Sequence, residues 1–228
     1  MDFPGNSSGL ANLGVTMYLF TRSATLVGGP GRTLEYVAQV TEIVNATIDL
    51  EVTLWGTLFG RPAGTFSWNT MVDGRAGLGS ATAALATNPD YLAALDRGQE
   101  FAGVTPAEDE LRQLVHPTEL PGDGPAVGAF AEAITVTPAA GHIADAMGWG
   151  VEISNMAASI TGVPVSFWAD AYGTFGQVSW LIVYPDAAAV DAAQDKLNAS
   201  AEYITAVDKS GPLFIGGSGD RALFTRLA

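Results

Sequence analysis

The sequence contains an internal repeat at an offset of about 112 residues. The segment 55–60 (WGTLFG) aligns with 168–173 (WADAYG), and Ser67-Trp68 aligns with Ser179-Trp180. The offset changes by only one to three residues, and only between predicted elements, where loops tolerate insertions. Such self-similarity indicates two copies of one structural unit. We predict repeats at 15–116 and 127–228, joined by a linker at 117–126 that is rich in proline and glycine.

Both copies show the same order of hydrophobic periodicities. Alternation typical of strands and the 3.6-residue spacing typical of helices follow one another as β-α-β-β-α-β, the ferredoxin-like unit. Helices cover one face of such a sheet, so its other face must be buried elsewhere. Two copies can bury these faces against each other by closing an eight-stranded α+β barrel. The predicted elements of the first copy are 15–26, 34–44, 50–59, 63–72, 76–97 and 110–116, and those of the second are 127–137, 143–153, 165–172, 176–184, 187–209 and 221–227.

These features resemble the dimeric α+β barrel superfamily. The resemblance rests on the duplicated unit, on a tryptophan in the second strand of each copy (Trp55, Trp168) and on the glycine-containing hairpin that follows it. The superfamily includes NIPSNAP-type proteins, cofactorless monooxygenases of antibiotic biosynthesis and the heme-binding chlorite dismutase group. The resemblance implies a shared barrel and does not fix a reaction.

Composition excludes several classes of function. The chain has 10 basic and 24 acidic residues, for a net charge of −14, so it lacks the basic patch needed to bind nucleic acid or an anionic membrane. It has no cysteine, which excludes disulfides and thiolate chemistry. We find no secretory signal and no spanning helix, and therefore expect a cytoplasmic protein. Trp149, flanked by Gly148 and Gly150, suggests contact with another subunit, so we expect a homo-oligomer.

The second strand of each copy supplies the candidate ligand pocket. Alternation places Trp55, Thr57 and Phe59 on the barrel side of the first copy, and Trp168, Asp170 and Tyr172 on that side of the second. At one matched position a threonine is thus replaced by a carboxylate. An aspartate in an aromatic cavity would have a raised pKa and could act as a general base. The alternative is that Asp170 lies at the strand end in solvent.

Other polar residues give weaker indications. Arg22 and Glu132 align at the offset of 110 that also aligns Phe20 with Phe130, and could pair across the pseudo-axis or face water separately. The acidic run 108–110 lacks the glycine and spacing of a calcium loop, so we predict no metal site. The chlorite dismutase resemblance would imply His142 as an axial heme ligand. The basic and aromatic surroundings expected of a heme site are missing from the sequence, so we predict no cofactor.

Two functions are consistent with these patterns. The first is a barrel that binds a small apolar or aromatic molecule, with the hypothesis of a cofactorless monooxygenase or isomerase that uses Asp170 as base. The second is a non-catalytic assembly component whose outer surfaces carry the function.

Overall fold

The computed structural model describes residues 16–103, 106–117, 120 and 124–228. Residue 15, residues 104–105 and half of the predicted linker (118–119 and 121–123) lie outside the described residues. The strands are β1 (Tyr18–Thr25), β2 (Thr53–Phe59), β3 (Thr65–Val72), β4 (Glu108–His116), β5 (Phe130–Val136), β6 (Val165–Tyr172), β7 (Val178–Tyr184) and β8 (Asp220–Arg226). The helices are α1 (Pro30–Thr47), α2 (Arg75–Ala86), α3 (Pro89–Gly98), α4 (Ile143–Thr161), α5 (Ala187–Ala199) and α6 (Ala201–Lys209).

The eight strands form one closed antiparallel barrel in the order β1-β3-β2-β8-β5-β7-β6-β4. Each half contributes four adjacent strands, β4-β1-β3-β2 and β8-β5-β7-β6, which is the ferredoxin-like order. The halves join at two seams, where β2 pairs with β8 and β4 pairs with β6. The predicted α+β class and the closure of two duplicated sheets into a barrel are confirmed.

The long second helix predicted in each half is divided into two. Pro89 lacks a backbone N–H and restricts the residue before it, so α2 ends and α3 begins at this point. The Asn88 side chain caps α3 by accepting a hydrogen bond from the Tyr91 backbone N–H. In the second half, Ser200 caps α6 in the same way through the Tyr203 N–H. Hydrophobic spacing continues across both breaks, which is why periodicity alone does not reveal them.

The helices pack on the outside of the barrel, and this packing assigns the two faces of each strand. Leu54 belongs to an outer core with Val37 of α1, so the neighbouring Trp55 faces the barrel interior. In the second half, Phe167 takes the outer position and Trp168 the inner one. A Cβ atom at Gly150 of α4 would lie 2.2 Å from the Phe167 ring, so the larger phenylalanine requires glycine on the helix above it.

The strand register corrects one predicted equivalence. Arg22 lies opposite Trp68 in the first half, whereas Ile134 lies opposite Trp180 in the second, which sets the offset at 112 rather than 110. Arg22 is therefore equivalent to Ile134, and the predicted match of Arg22 to Glu132 is wrong. A shift by two residues keeps every side chain on the same face, so alternation cannot detect it. Arg22 instead pairs with Asp109, and Glu132 pairs with Arg221.

Within the described residues, no helix combines the length and hydropathy that crossing a membrane requires.

Candidate functional site

The two inward tryptophans have the same environment in both halves. The Trp55 indole N–H donates to the Thr53 hydroxyl at 2.9 Å, and the Trp168 indole N–H donates to the Ser166 hydroxyl at 2.8 Å. Both tryptophans are buried. Each is thus fixed by a hydroxyl two residues earlier on the same face of its own strand. This symmetric arrangement supports the barrel wall and does not distinguish the halves.

Asp170 on β6 is the buried carboxylate of the barrel interior. Its side chain is 1% exposed, and its Oδ1 lies 3.4 Å from Nε of Arg112 on the adjacent β4. Neither carboxylate oxygen has a hydrogen-bond partner among the described residues. The Arg112 guanidinium in turn donates to Glu110, two residues earlier on the same face of β4. Two carboxylates therefore share one arginine, and the deeper one has no hydrogen bond.

This environment makes Asp170 a weaker acid than an ordinary aspartate. Burial is the largest cause and raises the pKa of Asp170 to about 6, from an ordinary value of 3.8. Glu110 raises the pKa further through like-charge repulsion, whereas Arg112 lowers it. A carboxyl group with a pKa near 6 exchanges protons close to neutral pH, as a general acid or base requires. The alternative weighed from the sequence, that Asp170 lies in solvent at the strand end, is wrong, because its side chain is buried.

The opposite seam carries no charges at the equivalent positions. We call the β4·β6 contact the Asp170 seam and the β2·β8 contact the Thr57 seam. At the Thr57 seam, Thr57 pairs in register with Phe224, where the Asp170 seam has Asp170 opposite Arg112. Ala222 occupies the position equivalent to Glu110 at the offset of 112. The Thr57 hydroxyl is buried without a described hydrogen-bond partner, like the Asp170 carboxylate.

Two of the predicted pocket residues lie at the barrel's edge. Phe59 is 71% exposed and Tyr172 is 62% exposed. Each follows a register irregularity, one between Thr57 and Phe59 and the other opposite the Asp170–Tyr172 segment, so the inward alternation does not continue to these residues. Tyr172 instead contacts Arg75 at the start of α2. The structure brings Trp168 and Asp170 to the barrel interior and leaves Tyr172 at its edge.

An open cleft of about 260 Å³ lies beside the Asp170 seam. Glu110 belongs to both features, since it bonds to Arg112 and also lines the cleft. Gly173 lies between Asp170 and Glu110: a Cβ atom at this glycine would sit 3.4 Å from Oδ2 of Asp170 and 3.5 Å from Cγ of Glu110. Gly173 has a φ of +134°, which also favours glycine. The other lining residues are Phe20, Arg75, Leu78, Asp109, Leu111 and Tyr172.

Comparison with solved structures identifies the architecture. A candidate monooxygenase from Fusobacterium nucleatum is 10% identical, with a TM-score of 0.66 over 95% of this chain and 94% of its own. An anthrone oxidase-like protein is 12% identical, with a TM-score of 0.64 over 94% and 92%. A candidate chlorite dismutase is 12% identical, with a TM-score of 0.55 over 94% and 96%.

The chain has the dimeric α+β barrel fold. At 10–12% identity the likeness to solved structures establishes this fold and no reaction. No protein-family model and no curated protein matches the sequence.

A heme of the kind suggested by the chlorite dismutase resemblance does not fit the histidines of this dimeric α+β barrel. His142 precedes α4, is 45% exposed and lies 3.7 Å from Asp145. His116 at the end of β4 pairs with Phe167 on the outer face and contacts Asn155 of α4 through Nε2. These are the chain's only histidines. Neither lies on the barrel-facing side of a strand, so we derive no reaction step through heme.

Arg112 and Glu110 were missed by the sequence analysis. The predicted alignment pairs Asp109 with Asp220, an offset of 111 residues between the last strands of the two halves. This alignment places Arg112 at the position of Leu223 instead of Phe224, so the polar mismatch is not recognised. At the structural offset of 112, Arg112 and Glu110 occupy the positions equivalent to Phe224 and Ala222, and are therefore further polar mismatches between the two halves. The comparison that identifies Asp170 could therefore have found both residues with a correct register.

Proposed function

We propose that the protein is a cofactor-independent enzyme that removes a proton from a small apolar or aromatic substrate, with Asp170 as the base. The observation that carries this proposal is a buried carboxylate whose oxygens lack hydrogen bonds and whose pKa is raised to about 6. The fold does not require this group, because the equivalent position is occupied by Thr57. Burying a carboxylate without hydrogen bonds costs stability, and strongly perturbed carboxyl groups cluster at functional sites.

The reaction begins at an acidic C–H bond that is adjacent to a carbonyl or conjugated with one through an aromatic ring. The proton passes to a carboxylate oxygen of Asp170, and the electron pair of the C–H bond moves onto the carbonyl oxygen as an enolate. Return of the proton to a different carbon completes an isomerisation. Alternatively, dioxygen accepts the electrons, and a CH₂ group becomes a carbonyl with release of water. Arg112, the nearest cation, favours the ionised form of Asp170.

The names of two similar structures suggest the first compounds to test. One is described as a candidate monooxygenase and another as anthrone oxidase-like. Anthrone has an acidic CH₂ group between two aromatic rings, and its reaction with one dioxygen gives anthraquinone and water. It therefore heads a panel of aromatic and apolar ketones with acidic C–H bonds.

Hydrogen exchange separates proton removal from oxygenation. In D₂O without oxygen, the wild-type protein should speed deuterium incorporation at the acidic carbon, and Asp170→Asn should reduce this catalysis by about 100-fold or more. Asp195→Asn, on the exposed surface of α5, is the control and should leave the rate unchanged. The rate should rise with pH through about 6, since the base acts as a carboxylate. Equal rates for wild type and Asp170→Asn, or background rates across the panel, would refute the proposal.

A further inference from the structure

Arg75 has a different environment from the other arginines of the described chain. Six of the eight arginines form ion pairs with carboxylates, and Arg97 donates to the Gln39 side chain. Within the described ranges, Arg75 has no hydrogen bond and no ion pair, although the protein carries 24 acidic residues. Its guanidinium therefore has N–H groups that can bind an anion. The paired arginines are Arg22, Arg32, Arg61, Arg112, Arg221 and Arg226.

Aromatic rings position this guanidinium at the cleft. The Arg75 guanidinium carbon lies 4.9 Å from the ring centroid of Tyr18 and 5.4 Å from that of Tyr172. Stacking on ring faces leaves the N–H edge of a guanidinium available for a planar carboxylate. Arg75 thus combines a defined position with an unused binding edge.

The acidic residues of the cleft are already paired. Asp109 receives two hydrogen bonds of 2.7 Å from Arg22, and Glu110 is bonded to Arg112. Each of them thus bonds to an arginine other than Arg75. Among the described residues that line the cleft, Arg75 is the cation whose N–H groups have no carboxylate partner, and these groups favour an anionic ligand.

The rest of the lining is apolar and matches a hydrophobic ligand body. Phe20, Leu78 and Leu111 line the cleft, together with the exposed ring of Tyr172. A cavity of about 150 Å³ is enough for benzene. The cleft's 260 Å³ therefore accommodates an acid with one or two rings.

We infer that this cleft binds a small aromatic or apolar carboxylic acid, with Arg75 holding the carboxylate. The inference names a substrate class and rests on the proposed function only for its catalytic meaning, because binding can be measured without turnover. Glu110 both lines the cleft and bonds to Arg112, so an acid bound at Arg75 would lie next to the group that pairs with the proposed base, although Asp170 itself does not line the cleft.

Calorimetric titration with 2-naphthoate tests the inference. The wild-type protein should bind 2-naphthoate at millimolar concentrations or below, and 2-naphthamide, which lacks the charge, about tenfold more weakly or worse. Arg75→Gln should lose a similar factor for 2-naphthoate and little for the amide. Arg75 is exposed, so its replacement should not unfold the protein, which a thermal melt would verify.

Two control variants sharpen the result. Arg97→Gln removes an arginine that also stacks on a tyrosine, 5.4 Å from the Tyr36 ring, and should leave 2-naphthoate affinity unchanged. Arg75→Lys keeps the charge but loses the planar pair of donors, and should give an intermediate affinity. Equal affinity for naphthoate and naphthamide, unchanged binding by Arg75→Gln or no binding to wild type would overturn the inference. Asp170→Asn should still bind 2-naphthoate while losing hydrogen exchange, so failure of either claim can be recognised separately.

Discussion

The two seams of the barrel are built from equivalent strands but carry different chemistry. At the Asp170 seam, Asp170 lies opposite Arg112, with Glu110 as a second carboxylate. At the Thr57 seam, Thr57 lies opposite Phe224. Both seams close the same barrel, so neither the buried aspartate nor its arginine is needed to join the halves. The charged group is therefore a specialisation of one seam.

That specialisation lowers the stability of the folded protein at neutral pH. The folded pKa of Asp170 is about 6, against an ordinary value of 3.8. The folded state therefore holds the Asp170 proton more tightly than the unfolded state does, and stability falls as pH rises from about 4 to about 6. The ionised group costs about 3 kcal/mol above that range. Groups kept at such a cost are common in functional sites.

The largest effect is expected from removing the cation of the Asp170 seam. Arg112→Met should lower the free energy of unfolding by about 3 to 5 kcal/mol at pH 8, because it leaves two carboxylates without their shared partner. Losing Arg112 also raises the pKa of Asp170, so the penalty should shrink at pH 5, where Asp170 takes up a proton. Urea unfolding at both pH values measures the change.

Phe224→Met at the Thr57 seam is the matched control for this substitution. Phe224→Met should lower the free energy of unfolding by about 1 kcal/mol with little dependence on pH, since Phe224 lies opposite Thr57, which does not titrate. If Arg112→Met cost no more than Phe224→Met at pH 8, the two seams would not differ as we describe.

Removing the charge of Asp170 should raise the free energy of unfolding, whereas removing Arg112 should lower it. Asp170→Asn should stabilise the protein by about 3 kcal/mol at pH 8, because the amide has nearly the same shape and no charge to bury. The difference from wild type should disappear below about pH 3, where Asp170 is protonated in both the folded and the unfolded state. Chemical unfolding across this pH range provides the measurement, and destabilisation at pH 8 would show that pairing with Arg112 outweighs burial.

A smaller effect tests the helix layer, where the halves also differ. Phe167 and Leu54 occupy equivalent outer positions, opposite Trp180 and Trp68. Gly150→Ala should cost about 1 to 3 kcal/mol, because its Cβ would overlap the Phe167 ring. Adding Phe167→Leu, the residue type found in the first half, should recover part of this loss in a double-mutant cycle. Simple addition of the two costs would argue against the contact.

The smallest change is expected at the neighbouring glycine. A Cβ atom at Gly148 meets nothing within 4 Å, so Gly148→Ala should stabilise α4 by up to about 1 kcal/mol through helix propensity. A thermal shift measures this gain. A loss of stability would indicate that the exposed surface around Gly148 needs close approach by another molecule, as the expectation of a homo-oligomer through Trp149 suggests.

The internal repeat allows most of this fold to be predicted from the sequence. The alternation around Trp55 and Trp168 predicts the inward and outward faces, because a duplicated sheet must bury the face that its helices leave uncovered. The helix breaks at Pro89 and Ser200 depend on local capping that hydrophobic spacing does not encode. The alignment of β1 with its repeat counterpart β5 could not be fixed either, because a shift by two residues preserves the alternation of inward and outward side chains.

The candidate site is only partly predictable for related reasons. Asp170 emerges from the sequence because it replaces a threonine at a matched inward position. Tyr172 and Phe59 lie where strand register breaks, and alternation rules fail at such irregularities. The repeat gives Trp149 no matching tryptophan in the first half, yet its ring packs edge-on against Trp180 and Phe214 of the same chain. Contacts of this kind depend on tertiary packing.

The most direct measurement is a ¹³C NMR titration of the Asp170 carboxyl carbon, assigned by its absence from Asp170→Asn. Our account predicts a midpoint near pH 6 for this carbon. A midpoint near 4, the ordinary value for an aspartate, would contradict the claim that one seam of this barrel holds a carboxylate tuned for proton transfer.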